Sequence, residues 1–228
     1  MLKLIDIGKS YALGAVEIEV LRHVDLEVRE GDLLSVMGPS GSGKSTLMNI
    51  LGLLSQPTAG TYLLREREVS SMDDDELSAF RNRHVGFVFQ SFNLMPHLSA
   101  LENVGLPLVY RGMGPGEIAR RSRAMLEKVR MGGRSSHLPS QLSGGQRQRI
   151  AIARALVGEP AVILADEPTG TLDSCAAREV VDLLVELNER DQITIVVITH
   201  DASIARQCTR HARLKDGRLH EGPHRRVA

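Results

Sequence analysis

The stretch GPSGSGKST, Gly38 to Thr46, restricts this chain's fold and chemistry more than any other. Gly38, Gly43, Lys44 and Ser45 fit the pattern GxxxxGK[ST], with Pro39, Ser40, Gly41 and Ser42 between them. The glycines let the backbone curl so that successive N–H groups face a diphosphate. GDLLSVMG before the loop reads as a strand, and KSTLMNILGLL reads as a helix over 44–54. The positive end of that helix adds to the pull on an anion. Lys44 is placed to reach the β/γ-phosphates, and Ser45, followed by Thr46, to offer an oxygen to Mg²⁺.

The rest of the chain suits such a loop. The first 30 or so residues alternate apolar and polar, in LKLIDI and VEIEVLRHVDLEV, which predicts half-buried antiparallel strands. AVILA (161–165) and ITIVVI (193–198) are continuous apolar runs, as in strands of a parallel sheet covered on both faces. HVGFVFQ (84–90) reads as a strand ending at Gln90. Between 91 and 157 helix signals dominate. Ser99 with Glu102 makes a capping-box pattern, GMGPG (112–116) breaks that helix, and a basic helix and a third helix, reaching about Val157, follow. ARLKDGRLHEG (212–222) reads as a hairpin with an Asp-Gly turn. The expected organisation is a single α/β unit over 1–228. An N-terminal β portion covers 1–32, a core covers 33–90 and 158–228, and a helical insertion covers 91–157.

Composition excludes several classes. Lys plus Arg and Asp plus Glu both total 28, so no basic excess favours nucleic acid. Aromatic residues make up 3%, too few for base-stacking platforms. No apolar run approaches the roughly 20 residues that span a bilayer, and MLKLIDIGKSY lacks a secretory pattern. A cytosolic chain that does not itself enter the membrane is expected. Cys175 and Cys208 have neither CxxC spacing nor a histidine cluster, so they read as indifferent thiols.

Two acids, Asp166 and Glu167, close the AVILADE run. Carboxylates after a buried strand are unfavourable unless they hold something positive or polar. Beside a phosphate loop, Asp166 belongs in the Mg²⁺ shell, and Glu167 is placed to polarise a water in line with the γ-phosphate. His200 ends ITIVVITH, and Gln90 ends its own strand. Ligands of open α/β sheets bind beyond the carboxyl ends of strands. Four polar features from four strands should therefore meet in one crevice. There His200 would bond the γ-phosphate and Glu167, and Gln90 would reach Mg²⁺ and the water.

The motif order resembles the ATP-binding-cassette (ABC) ATPases over about residues 1–220. Tyr11 matches the aromatic A-loop, GPSGSGKST Walker A, Gln90 the Q-loop, LSGGQ (142–146) the signature, AVILADE Walker B, GTLD (170–173) the D-loop and His200 the H-loop. The resemblance implies a P-loop NTPase core with an N-terminal antiparallel β subdomain and an inserted α-helical subdomain. It also implies ATP and Mg²⁺ as cofactors, and Tyr11 stacked on the adenine. Ser143, Gly144, Gly145, Gln146 and Asp173 would meet the nucleotide of a second copy in a head-to-tail dimer.

GFVFQSFNLMPHLSALENVGLPLVYRG and LADEPTGTLDS narrow the resemblance to macrolide-export and lipoprotein-release cassettes (MacB- and LolD-like), a group that includes the cell-division cassette FtsE. That implies a place on the inner face of the cell membrane beside an integral permease. A docking groove is expected around Phe92, Leu94, Met95 and Leu98. GTLD where GNLD or GALD is common, and LREREV (64–69) in place of a glycine-containing turn, are departures that leave the nucleotide motifs untouched. Soluble repair and translation members carry coiled-coil insertions or two cassettes in one chain, and neither is seen here. LSGGQ, together with the lack of an NKxD-type guanine reader, disfavours P-loop kinases and GTPases.

Overall fold

A computed structural model describes residues 1–14 and 16–222; positions 15 and 223–228 of the expected single unit lie outside it. Among the described residues ten strands form two sheets. β1 (Leu2–Leu13) and β2 (Val16–Val28) pair antiparallel with Leu2 opposite Val28, as their alternation predicts. Leu2, Leu4, Leu21, Val24 and Leu26 all point inward. This sheet also takes β4 (Ala59–Leu64) and β5 (Arg67–Glu68), which come after the phosphate loop in sequence and outside 1–32. β4 joins through Leu2 opposite Leu64 and Leu4 opposite Tyr62.

The second sheet runs β10-β9-β3-β8-β7-β6. β3 is Leu33–Met37, β6 Val85–Val88, β7 Val162–Asp166, β8 Ile195–Ile198, β9 Arg210–Lys215 and β10 Arg218–Glu221. β9, β3, β8, β7 and β6 are mutually parallel, and β10 returns antiparallel through Asp216 and Gly217, both at positive φ. The central strands β3, β7 and β8 are buried on both faces, whereas β9 alternates buried and exposed residues. Leu34, Val36, Leu164, Val196 and Ile198 enter one core with α1 and the N-terminal sheet. Leu33, Ile163, Ala165, Ile195 and Val197 enter another, under the helical insertion and α6. The continuous apolar runs therefore serve two cores at once.

Helix α1 is Lys44–Leu51. It stops three residues short of the expected 54, because Gly52 lies under the Phe87 ring and Leu53 turns left-handed. α2 is Asp74–His84, α3 Ala100–Tyr110, α4 Pro115–Lys128, α5 Gly144–Leu156, α6 Ser174–Asp191 and α7 Ala202–Ala205. α3 starts on the expected capping box, with the Ser99 N–H donating to Glu102 Oε2 at 2.8 Å. α5 starts inside LSGGQ, at Gly144. No helix among the described residues is long and apolar enough to cross a membrane.

Candidate active site

The loop Gly38–Gly43 joins β3 to α1 at the carboxyl edge of the parallel sheet. A side chain at Gly38 would bring its Cβ within 2.2 Å of the Leu214 carbonyl oxygen on β9. Gly43 takes φ 100° and lies against Val20 and Leu21 of β2, so the N-terminal sheet forms one wall of the loop. α1 has no side-chain cap and no acid in its first turn, which leaves its leading N–H groups free for an anion. Lys44 Nζ curls over the loop, donating to the carbonyls of Gly38 (2.8 Å) and Pro39 (2.9 Å). Ser42 Oγ is buried without a hydrogen-bond partner. A polyphosphate fits this cradle.

β7 and β8 bring the acids and the histidine beside it. Glu167, at φ 42°, turns out of the strand end, with its N–H on the Ile198 carbonyl at 2.9 Å. Its carboxylate is held by three groups. Thr199 Oγ1 donates to Oε2 at 3.0 Å, the His200 backbone N–H donates to Oε1 at 2.9 Å, and His200 Nδ1 lies 2.6 Å from Oε1. That side-chain bond, reinforced by the Glu167 charge, raises the His200 pKa. Burial pushes the Asp166 carboxyl above its usual range, and Glu167 adds to this while Lys44 opposes it. A divalent cation beside Asp166 would relieve that penalty. One carboxylate with hydroxyl and phosphate oxygens is the donor set Mg²⁺ accepts, without a dedicated protein cage.

Gln90 lies beyond β6, where its amide packs on Gly170 and its carbonyl accepts from Thr171 Oγ1 at 3.2 Å. The four strand ends expected to meet thus belong to the adjacent strands β3, β8, β7 and β6. Tyr11 sits on the exposed part of the β1–β2 ribbon, opposite Ile18, with Lys9 Nζ 5.1 Å from its ring centre.

The signature residues lie at the start of α5. Ser143 Oγ accepts from Gln146 N–H at 3.3 Å, and Gln146 Oε1 accepts from Ser143 N–H at 3.0 Å, so the two cap α5. Cβ atoms at Gly144 and Gly145 would lie 2.9 Å from Leu172 and 3.0 Å from Ala176. Both glycines thus admit the D-loop and the start of α6 of their own chain. Asp173 Oδ1 caps α6, accepting from Cys175 and Ala176 N–H at 3.0 Å. Among the described residues, no hydrogen bond or ion pair joins 143–146 to the phosphate loop of the same chain.

Three participants escaped the sequence reading. Thr199 is fully buried, and a hydroxyl closing an apolar strand directly before His200 was its signal. Gln148 is fully buried on α5, in line with Gly145 and Ile152, and a polar residue in an apolar stripe was its signal. Asn103 organises the loop after Gln90. Its Oδ1 accepts from Met95 N–H (2.7 Å), and its Nδ2 donates to the carbonyls of Met95, Leu98 and Ser99. Folded that way, the loop half-buries Phe92, Leu94 and Leu98 and leaves Met95 exposed, so these four do not form the expected groove. A groove of 710 Å³ lies next to them instead, between α2 and α3, lined by Phe87, Phe89, Leu106, Pro107, Tyr110 and Asn93 among others.

Comparison with known proteins agrees with this geometry. The family profile described as ABC transporter matches residues 21–170. An ABC transporter ATP-binding protein of Thermotoga maritima is 50% identical over 226 residues, 99% of this chain and 96% of that protein. A macrolide export ATP-binding/permease protein, MacB, of Rhodopirellula baltica is 47% identical over 100% of this chain but only 34% of its own length. The cassette MJ0796 of Methanocaldococcus jannaschii has been solved as a dimer in a post-hydrolysis state bound to ADP and Pi. That structure overlays with a TM-score of 0.89 at 45% identity, covering 100% of both chains.

Proposed function

Given that the chain belongs to the ABC transporter family, as an ATP-binding cassette with ATPase chemistry, we propose that it works as a head-to-tail dimer driving a membrane permease. The permease is of the macrolide-export or lipoprotein-release type. The observation that carries the ATPase half is the Glu167 carboxylate, fixed by Thr199 and His200 beside the Lys44 loop. Gly38–Thr46 binds the phosphates and Tyr11 faces the adenine. Ser45, Asp166 and Gln90 would hold Mg²⁺, which screens the phosphate charge. Glu167 orients the attacking water and takes up its proton at a carboxylate oxygen. His200 keeps that carboxylate in place.

The dimer reading is supported by the exposed N-cap Ser143 of α5, which among the described residues bonds to no part of the phosphate loop of its own chain, and by the dimeric MJ0796 structures. The permease reading is supported by the apolar groove beside the Gln90 loop and by MacB relatives in which the matching part is about a third of the protein. Cassette and permease would meet on the inner face of the cell membrane. A cell-division or envelope-remodelling role of the FtsE kind, moving no substrate, is the second reading, since the cassette motifs are shared. The test is Glu167→Gln with saturating ATP on a sizing column. A trapped dimer is expected, and a protein that stays monomeric overturns the scheme.

A further inference from the structure

Helix α5 grips the loop after Gln90 at several points. Arg154 donates from one terminal nitrogen to the Phe92 carbonyl at 2.9 Å and from the other to the Asn93 carbonyl. Arg147, two turns earlier, sets its guanidinium 4.8 Å from the Phe92 ring centre. Gln148 donates to the carbonyls of Phe89 (3.3 Å) and Pro168 (2.6 Å). Phe92 and Asn93 both sit at positive φ, 61° and 49°. Such a conformation is disfavoured for residues with side chains and persists only where its surroundings impose it. The two carbonyls of that turn are the ones Arg154 engages. Arg154 and Asn93 also line the 710 Å³ groove, so one guanidinium borders both the groove and the loop.

We propose that Arg154 is a positioning residue, clamping the Phe92–Asn93 turn so that Gln90 moves with helix α5. The inference rests on the ATPase reading above. The planar fork sets two donors at a fixed separation on the two carbonyls; a lysine, with a shorter stem and a single nitrogen, does not reproduce that geometry here.

The test uses Arg154→Lys and Arg154→Ala, each alone and with Gln90→Ala. In nucleotide-free protein, amide hydrogen exchange across 90–94 is expected to quicken about tenfold in both Arg154 variants. Tenfold is the loss expected for one charge-assisted hydrogen bond, and a lower bound for Arg154→Ala, which removes two. In steady-state assays kcat should fall about tenfold with KM for ATP unchanged, and Gln90→Ala should add nothing further to that fall. Unchanged exchange or kcat in Arg154→Lys overturns the proposal. So does a raised KM at constant kcat, or an effect additive with Gln90→Ala. If Arg154→Ala fails to fold, Arg154→Lys decides alone. Failure of Glu167→Gln to dimerise would instead overturn the head-to-tail dimer scheme, whatever Arg154 does.

Discussion

Glu167 Oε1 lies 2.6 Å from His200 Nδ1 and 2.9 Å from the His200 backbone N–H, so one oxygen is fixed twice by a single residue. The other oxygen depends on Thr199 alone among the described residues. Thr199→Val keeps the shape and removes that donor. A hydrogen bond to a charged group contributes about 1.5–3 kcal/mol. Single-turnover hydrolysis should therefore slow about tenfold or more, with ATP binding unchanged. His200→Ala removes the side-chain bond, and about a 10²-fold loss in kcat is expected.

Ser143→Arg tests whether the start of α5 faces a second copy. Substitution removes a capping box, which costs about 1 kcal/mol, and lowers Tm by roughly 2–4 °C for a chain of this size. ATP binding by the monomer should survive. Dimer formation in a Glu167→Gln background should be lost on a sizing column.

Gly38→Ala addresses the phosphate loop. Its new Cβ would sit 2.2 Å from a backbone oxygen of Leu214, which cannot rotate away as a side chain can. Overpacking of this kind costs about 1–3 kcal/mol. ATP affinity, read by equilibrium binding, should fall about tenfold or more.

The thiols should divide sharply. Burial pushes the Cys208 thiol up to about 12, and Cys175 is exposed at the start of α6. The thiolate is the reactive form, and Cys208 stays protonated at every pH well below that value. At pH 8, mass spectrometry after alkylation should find a single adduct, at Cys175. A second should appear only after denaturation.

Features whose physics is local could be read from the chain alone. The glycine loop, the Ser99–Glu102 cap, the Asp216–Gly217 turn and the acids ending β7 each carry their reason within a few residues. What escaped depends on distant partners. β4 looks like a core strand until Leu64 is found opposite Leu2. The Phe92 region reads as an exposed apolar patch until Asn103 and Arg154 fold it inward. That Leu172 and Ala176 pack against the signature glycines is likewise announced by nothing nearby in the chain.

The Gly38–Leu214 contact also carries a lesson about synthesis. Met37 pairs with Arg213, so the strand feeding the phosphate loop has a neighbour made nearly the whole chain later. A nascent polypeptide emerging from the ribosome would expose its glycine loop without that back wall, and the turn at Gly217 would still be absent from its place against β2. Whatever nucleotide binding depends on that wall therefore requires the chain to be made and folded as far as Leu214.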